Sequence, residues 1–342
     1  MLSHHQIAAA TRIGMLTREH DTVSACDEAL RELARALPLD AATLLTVDPL
    51  TGAHVQLAGI GYAAETAQAL AGEFVATPWY RNVVQGELPP SISADGEEPE
   101  ESGPRFRQGW FYAERVRPAG FRDGVTGALR HHDRLVGLVH LNTESPDAYD
   151  TEARRLLASV LPALAVLADP IASAADPHRL PSADRACLVA GDAVLDLPGH
   201  GRPEVLRDAE LRGLLRVFAG TTTGHRVRLL WAVGGAWYRV VLQRHRPGPG
   251  FAADAVLVHE TPTEMPYGLS PRELEVLTRA ATGETNQAIA EALFLSPRTV
   301  HSHVEHLLRK TGTASRAEAT ALAVRDGLLR PAPEHLAFFV ER

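Results

Sequence analysis

Cysteine and long apolar runs are scarce in this sequence, and each scarcity argues against a class of protein. The 342 residues include two cysteines, Cys26 and Cys187, far apart in the chain. This usage favours buried thiols over a disulfide. No apolar run approaches the roughly 18 residues of a membrane helix, and the first residues lack the basic-then-apolar pattern of an export signal. We therefore expect a cytoplasmic protein that does not contact a membrane.

Positive charge is limited too, because the formal net charge is −8 and Lys310 is the only lysine. A protein that binds nucleic acid by charge alone would be strongly basic. The hydrophobic fraction of 45% and the charged fraction of 22% are those of a globular protein. The length allows two or three domains, each with its own core.

The motifs of several enzyme classes are also missing. The sequence has no glycine-rich loop ending in Gly-Lys-Ser/Thr, no Cys/His cluster with zinc-ligand spacing and no Gly-x-Ser-x-Gly turn. We therefore expect a protein that is not an enzyme and that needs no cofactor or metal.

Residues 269–326 carry the start and stop signals of several short helices. Ser270 and Glu273 form a capping box with Pro271 at the first helical position. Ser296 before Pro297 starts another helix in the same way. This pattern predicts a compact bundle of four helices with a tight turn between the two central ones. Glycines follow the apolar runs, where left-handed residues often end helices: Gly283, Gly312 and Gly327.

The third of these helices is predicted to begin at Pro297 and to be amphipathic. Its apolar positions follow the spacing i, i+3, i+4, i+7, which places them on one face. The opposite face carries hydrogen-bonding side chains and could enter a DNA major groove. A small bundle with an ordinary solvated face is the alternative. The inward positions are Val300, His303, Val304 and Leu307.

The order of residues extends this argument, because the segment resembles the LuxR-type helix-turn-helix, the DNA-binding domain of many bacterial regulators. The resemblance covers the whole of residues 269–330. The matching residues are Leu269, Pro271, Arg272, Glu273, Val276, Leu277, Gly283, Asn286, Ile289, Ala290, Leu293, Ser296, Pro297, Thr299, Val300, His303, Lys310, Ser315, Arg316 and Glu318.

The resemblance implies a regulator that binds double-stranded promoter or operator DNA, as a homodimer joined in part through the last helix. Residues 297–310 would be the recognition helix. Base edges would be contacted by His301, Ser302 and Glu305. Phosphates would be contacted by Thr285, Asn286, Arg298, Thr299, Arg309 and Lys310.

One departure from the family pattern keeps an alternative open. His301 stands where relatives usually carry a basic residue, and Glu305 occupies another position that faces bases. The front of the helix is therefore less basic than usual. The alternative is a protein-interaction or regulatory module whose helix-turn-helix no longer binds DNA.

Residues 1–169 show the order helix, strands, variable middle, hairpin and final helix, and they resemble a GAF domain. Residues 135–141, 146–149 and 156–157 carry the resemblance. A GAF-like domain implies an α+β sensory or dimerising unit, in which aromatic residues of the variable middle could line a pocket for a small ligand. Packing within the core is the alternative interpretation of these residues. They are Trp79, Tyr80, Trp110, Phe111 and Phe121.

The remaining boundaries follow from composition and pattern. Residues 185–260 combine a helix at 208–218 with strands at 226–233, 236–243 and 255–258, which suggests a small PAS-like α+β module. Gly234 and Gly235 predict a two-residue hairpin turn. We predict a multidomain chain: a GAF-like domain over 1–169, a linker at 170–184, the PAS-like module, a linker at 261–268, the all-α helix-turn-helix domain over 269–330, and a tail at 331–342.

Overall fold

The computed structural model describes residues 4–18, 21–86, 88–93, 106–174, 184–221, 224–245, 248, 250–251 and 253–341. The chain forms two compact units. The first is Met1–Ser173 with Gly248–Ala252, and the second is Ala174–Pro247 with Ala253–Arg342. The predicted multidomain architecture is therefore confirmed, although the division differs from the predicted one.

The first unit is an α+β domain, as predicted for a GAF-like fold. A four-stranded antiparallel sheet has the order β2-β1-β4-β3, and helices cover it. The described elements are α1 (His4–Leu16), α2 (Thr22–Ala36), β1 (Ala41–Val47), β2 (His54–Ile60), α3 (Ala64–Gly72), α4 (Pro78–Gln85), β3 (Asp123–His131), β4 (Arg134–Thr143), α5 (Thr151–Ala168) and α6 (Pro170–Ala174), with short 3-10 or π segments at Phe74–Ala76, Phe106–Gln108 and Tyr112–Val116.

Strand β1 separates two hydrophobic cores, because its side chains point to both faces of the sheet. Ala42 and Leu44 join a core with α2 and α5. Ala41 and Leu45 join a second core on the other face, which also contains several aromatic residues. The variable middle of the domain therefore contributes to a packed layer.

The second unit contains another sheet and the four predicted C-terminal helices. Its antiparallel sheet has the order β6-β5-β9-β8-β7. The described elements are β5 (Arg185–Ala190), β6 (Ala193–Asp196), α7 (Ala209–Gly220), β7 (Arg226–Val233), β8 (Ala236–His245), β9 (Ala255–Thr263), α8 (Pro271–Ala281), α9 (Asn286–Leu293), α10 (Pro297–Thr311) and α11 (Arg316–Asp326), with 3-10 segments at Glu204–Arg207, Pro266–Gly268 and Pro333–Phe338.

The predicted hairpin between β7 and β8 is confirmed. Gly234 and Gly235 both have positive φ, 61° and 84°, which suits the turn that joins twisted antiparallel strands. The β5–β6 hairpin was not predicted, although Gly191 and Asp192 join its two short strands. The PAS-like assignment stays a prediction.

The predicted boundaries around the helix-turn-helix need correction. Thr261 pairs with Arg239 inside the sheet, so the predicted linker at 261–268 begins within β9. Buried residues of the sheet and of the helices form one hydrophobic core. The predicted tail at 331–342 also packs, since Leu336 is fully buried. The middle module and the helical domain are thus one compact unit, because their apolar faces cover each other.

Arg330 connects three parts of this unit. Its guanidinium lies 5.0 Å from the ring centre of Trp231 in β7. The same group binds Glu210 at the start of α7 at 2.9 Å and approaches Glu275 of α8 at 3.8 Å. Nearby, the amide of Leu230 donates to the carbonyl of Leu329 at 2.9 Å. These interactions fix the helical bundle against the sheet.

Candidate nucleic-acid interface

A tight turn joins α9 to α10, as the sequence predicts. Phe294 ends α9 in the left-handed conformation, with φ 55°, and the Leu295 amide donates to the Ala290 carbonyl at 2.8 Å. Two residues after Phe294, the Ser296 hydroxyl accepts from the Thr299 amide at 3.0 Å and caps α10. The chain can therefore reverse within a few residues, because free backbone groups at both helix ends gain partners.

The back of α10 is apolar and holds the helix against the bundle. Val300, Val304 and Leu307 are buried, as predicted. His303 is only half-buried, so it forms the edge of this face. The helix is therefore fixed in rotation by its three aliphatic side chains.

The front of α10 presents a polar stripe to solvent. Arg298, Ser302, Glu305 and Arg309 recur at spacings of four, three and four residues, which places them on one face. His301 lies beside them. At a rise of about 1.5 Å per residue, Arg298 and Arg309 stand roughly 16 Å apart along the axis. We call these five residues the α10 front.

Two residues of the α10 front contact each other. His301 Nε2 lies 3.4 Å from Glu305 Oε1, and both side chains are about two-thirds exposed. When His301 is protonated, this interaction offsets the carboxylate charge that would otherwise repel phosphates. Both side chains remain close to the solvent and can exchange this interaction for another partner.

Arg298 and Arg309 are the free cations of the α10 front. Both are exposed. Neither guanidinium has a hydrogen-bond or ion-pair partner within the part of the chain that the structure describes. An unpaired, exposed arginine can bind a phosphate without first breaking an internal hydrogen bond.

At the start of α9, two predicted phosphate ligands differ in how exposed their side chains are. Thr285 is exposed and caps the helix by accepting from the Ala288 amide at 3.2 Å. Asn286 is half-buried, and its side-chain oxygen accepts from Arg316 at 2.7 Å. Thr285 therefore stays available at the surface, whereas Asn286 already ties α9 to α11.

Lys310 differs most from its predicted role. Its ammonium donates to Glu273 at 2.7 Å and to the Gly268 carbonyl at 2.8 Å. Glu273 also accepts from the Ser270 amide at 2.7 Å, which completes the predicted capping box. The structure thus gives Lys310 internal partners, and it joins α10 to the start of α8. Sequence spacing could not reveal this interaction, because 37 residues separate the two side chains.

As a result, the pKa of the Glu273 carboxyl group is lowered. Burial alone would raise the pKa of its carboxyl group, but hydrogen bonds from Lys310 and Ser270 outweigh burial and lower the pKa below its usual value. A carboxyl group with a lowered folded pKa stabilises the folded state at pH values above its unfolded pKa. That contribution is lost as the pH falls through the folded pKa.

Replacing Lys310 with methionine should therefore destabilise the second unit by about 1–3 kcal/mol at neutral pH, since a charge-assisted hydrogen bond is lost. Acid unfolding should also begin at a higher pH, because Glu273 would lose the group that keeps it ionised. Thermal unfolding as a function of pH measures both effects. Arg309→Met is the matched control, as Arg309 has no partner among the described residues. Equal shifts in the two variants would contradict this role for Lys310.

The aromatic residues predicted to line a ligand pocket in the first unit each contact a neighbouring ring. Phe111 and Phe121 are buried, whereas Trp110 is 45% exposed. Trp79 lies 5.3 Å from Phe106, measured between ring centres, and Tyr80 packs against Phe74. The cavity beside them measures about 20 Å³, which is room for about one water molecule. The described side chains therefore favour core packing, and the ligand pocket stays a prediction.

Comparisons with known proteins agree with the helix-turn-helix geometry. The family described as bacterial regulatory proteins, luxR family, matches residues 268–323. A protein of Mycobacterium tuberculosis described as a probable transcriptional regulatory protein NarL is 31% identical over 217 residues, covering 61% of this chain and 91% of that protein. The chain therefore belongs to the LuxR family of bacterial regulatory proteins, and it is a transcriptional regulator with a DNA-binding domain.

Shorter matches fall on other regulators. The uncharacterized transcriptional regulatory protein YhcZ of Bacillus subtilis is 44% identical over 70 residues, which are 20% of this chain and 33% of that protein. The oxygen regulatory protein NreC of Staphylococcus aureus is 44% identical over 61 residues, 18% of this chain and 28% of that protein.

Two solved GAF domains are among the similar structures. One belongs to an Acinetobacter phosphoenolpyruvate-protein phosphotransferase, with 13% identity, a TM-score of 0.36, and coverage of 49% of this chain and 94% of that one. The other is a phycoerythrobilin-bound GAF domain of a cyanobacterial phytochrome, with 16% identity, a TM-score of 0.40, and coverage of 52% and 100%. Because these TM-scores are low, the description of the first unit depends on its own sheet and helices.

Proposed function

We propose that the protein recognises a specific promoter or operator sequence as a homodimer, under the control of its upstream sensory region. The observation that carries this proposal is the α10 front: a polar stripe, fixed by a buried apolar back, with an unpaired arginine at each end among the described residues. A helix of this shape can lie in the major groove while its ends contact the two flanking backbones.

Within this proposal, the DNA contacts divide into two sets. His301, Ser302 and Glu305 lie at the centre of the α10 front and contact base edges, because hydroxyl and carboxylate groups discriminate donors and acceptors there. Arg298 and Arg309 contact phosphates at the ends. Further phosphate contacts come from Thr285 and Thr299, which are both exposed. Asn286 and Lys310 hold this surface in place.

Selection of bound DNA from a random library with the purified full-length protein tests sequence recognition. We expect one enriched motif for the wild type and a changed motif for His301→Ala or Glu305→Ala. Gln287→Ala, on the exposed side of α9, should leave the motif unchanged. If the wild type enriches no motif, the alternative of a protein-interaction module without DNA contact is favoured.

Helix α11 provides a candidate surface for a second copy of the chain. Ala317, Ala321 and Val324 are exposed and Thr320 is half-buried, whereas Ala319 and Ala323 face the core. Small and apolar side chains on one exposed face allow close packing against a symmetric partner. Two joined copies would also compensate for the low positive charge of one domain, since binding of the second copy becomes intramolecular.

Val324→Glu should weaken the homodimer by about tenfold or more, because a charge would enter an apolar interface. DNA affinity should fall with it, and the wild type should protect two half-sites about one helical turn apart. Sedimentation velocity and footprinting measure these effects. Val217→Glu is the control, as Val217 is a similarly exposed valine on another helix of the same unit. A monomeric wild type that protects one half-site would contradict the dimer.

We also propose that the protein acts in the cytoplasm, where its DNA target lies, and that it has no catalytic activity of its own. Among the described helices, none combines the length and the apolar character that crossing a bilayer requires.

A further inference from the structure

The middle module contains a groove that the DNA-binding role does not use. It lies between α7 with the preceding 3-10 segment on one side and the β5–β6 hairpin with β9 on the other. Its volume is about 620 Å³, within the usual range of small-molecule sites, roughly 300–1,000 Å³. All of its lining residues belong to the middle module.

The floor of the groove is apolar. The sheet contributes three valines, and the helical side contributes Leu206, Leu215 and Ala219. Leu215 and Ala219 are one turn apart on α7, so both point to the same side. Covering this floor with an aliphatic or aromatic group is favourable, because apolar surface is then removed from water. The three valines are Val189, Val194 and Val256.

The rim of the groove is rich in arginine. Four arginines and only two carboxylates line it. Arg202 is paired with Asp196 through two hydrogen bonds, at 2.8 and 2.9 Å. Glu204 lies 2.6 Å from Arg207 and also binds Arg185, at 2.5 Å. The carboxylate of Glu204 is therefore already shared between two cations.

Among the arginines of the rim, the two on α7 have the weakest interactions with carboxylates. Arg212 donates to the carbonyl of Leu206 at 3.1 Å and has no carboxylate partner among the described residues. Arg216 reaches Asp192 only at 3.4 Å, and that carboxylate is 92% exposed. Arg212 and Arg216 are one turn apart, next to the apolar pair on the same helix. One helix thus presents two available cations beside an apolar floor.

We propose that this groove binds a small organic carboxylate with an apolar body. The carboxylate accepts hydrogen bonds from Arg212 and Arg216, whose planar guanidinium groups match its geometry. The apolar body covers the floor formed by Leu215, Ala219 and the three valines. Occupied in this way, the groove would give the middle module a sensory role.

Calorimetric titration of the full-length protein with octanoate tests the proposal, because octanoate combines a carboxylate with a short aliphatic body. We expect saturable binding of octanoate. Acetate, which lacks the body, and octan-1-ol, which lacks the charge, should each bind at least about tenfold more weakly. Octyl phosphate at the same concentrations shows whether the site prefers a carboxylate to another anion, and equal or tighter binding of octyl phosphate would overturn the carboxylate assignment.

Two variants locate the binding. Arg212→Gln should weaken octanoate binding by about tenfold, whereas Arg31→Gln, which removes the same charge from an exposed position on α2, should not. Ala219→Phe should prevent binding by filling the floor. Undiminished binding to Arg212→Gln, or equal affinity for octanoate and octan-1-ol, would overturn the proposal. The titrations contain no DNA, so their failure leaves the DNA-binding assignment intact, and a failure of DNA binding leaves the groove intact.

Discussion

Replacing Arg298 and Arg309 together by alanine is expected to remove tight DNA binding while the second unit stays folded. Each arginine that binds a phosphate contributes a charge-assisted hydrogen bond, so each substitution should weaken binding by about tenfold or more. The effect should be equal for specific and random DNA, because phosphates carry no sequence information. The dependence of affinity on salt should also become less steep, by about one unit of slope for each arginine replaced.

Fluorescence anisotropy with labelled DNA at several salt concentrations measures both quantities. The matched control is the double variant Arg31→Ala and Arg107→Ala, which removes the same charge from two exposed positions of the first unit. If that control loses affinity and slope equally, the effect belongs to net charge and the placement of α10 in the groove is wrong.

Leu277→Ala is expected to destabilise the sheet of the middle module as well as the helical bundle. Leu277 lies in α8 and is fully buried in the core that both parts share. Removing its side chain leaves a cavity, which should lower the free energy of unfolding by about 2–5 kcal/mol. Because the core is continuous, β7 and β8 should lose stability together with α8.

Hydrogen exchange followed by mass spectrometry resolves the two parts. Peptides from α8 and from the β7–β8 hairpin should lose protection by similar factors. Val217→Ala, at an exposed position of α7, should change stability by less than about 0.5 kcal/mol. Protection that falls in α8 while β7 and β8 are unaffected would show that the helical domain unfolds independently.

Local signals explain why the helix-turn-helix could be predicted in detail. The capping box of Ser270 and Glu273 and the cap at Ser296 depend on residues three positions apart, which a sequence shows directly. The buried face of α10 follows from helical period alone. The hairpin at Gly234 and Gly235 is equally local, since the missing side chain lets each glycine adopt the positive φ that the turn needs.

Interactions between distant segments explain what could not be predicted. Lys310 looks like a phosphate ligand in sequence, and only the folded chain places Glu273 beside it. The aromatic residues around Phe111 could equally have lined a pocket or filled a core, because composition does not determine how closely rings pack. The groove beside Arg212 was missed for the same reason: its sides come from a hairpin and a helix that meet only after folding.

The scarcity of lysine has a practical consequence for chemical probing. Lys310 carries the only side-chain primary amine of the sequence, so an amine-directed reagent or an acetyl group has a single internal target. Its ammonium is engaged with Glu273 and Gly268 in the folded chain, and modification would remove the charge that holds these partners. The rate at which this one amine reacts therefore reports how often the Lys310 ammonium leaves Glu273 and Gly268.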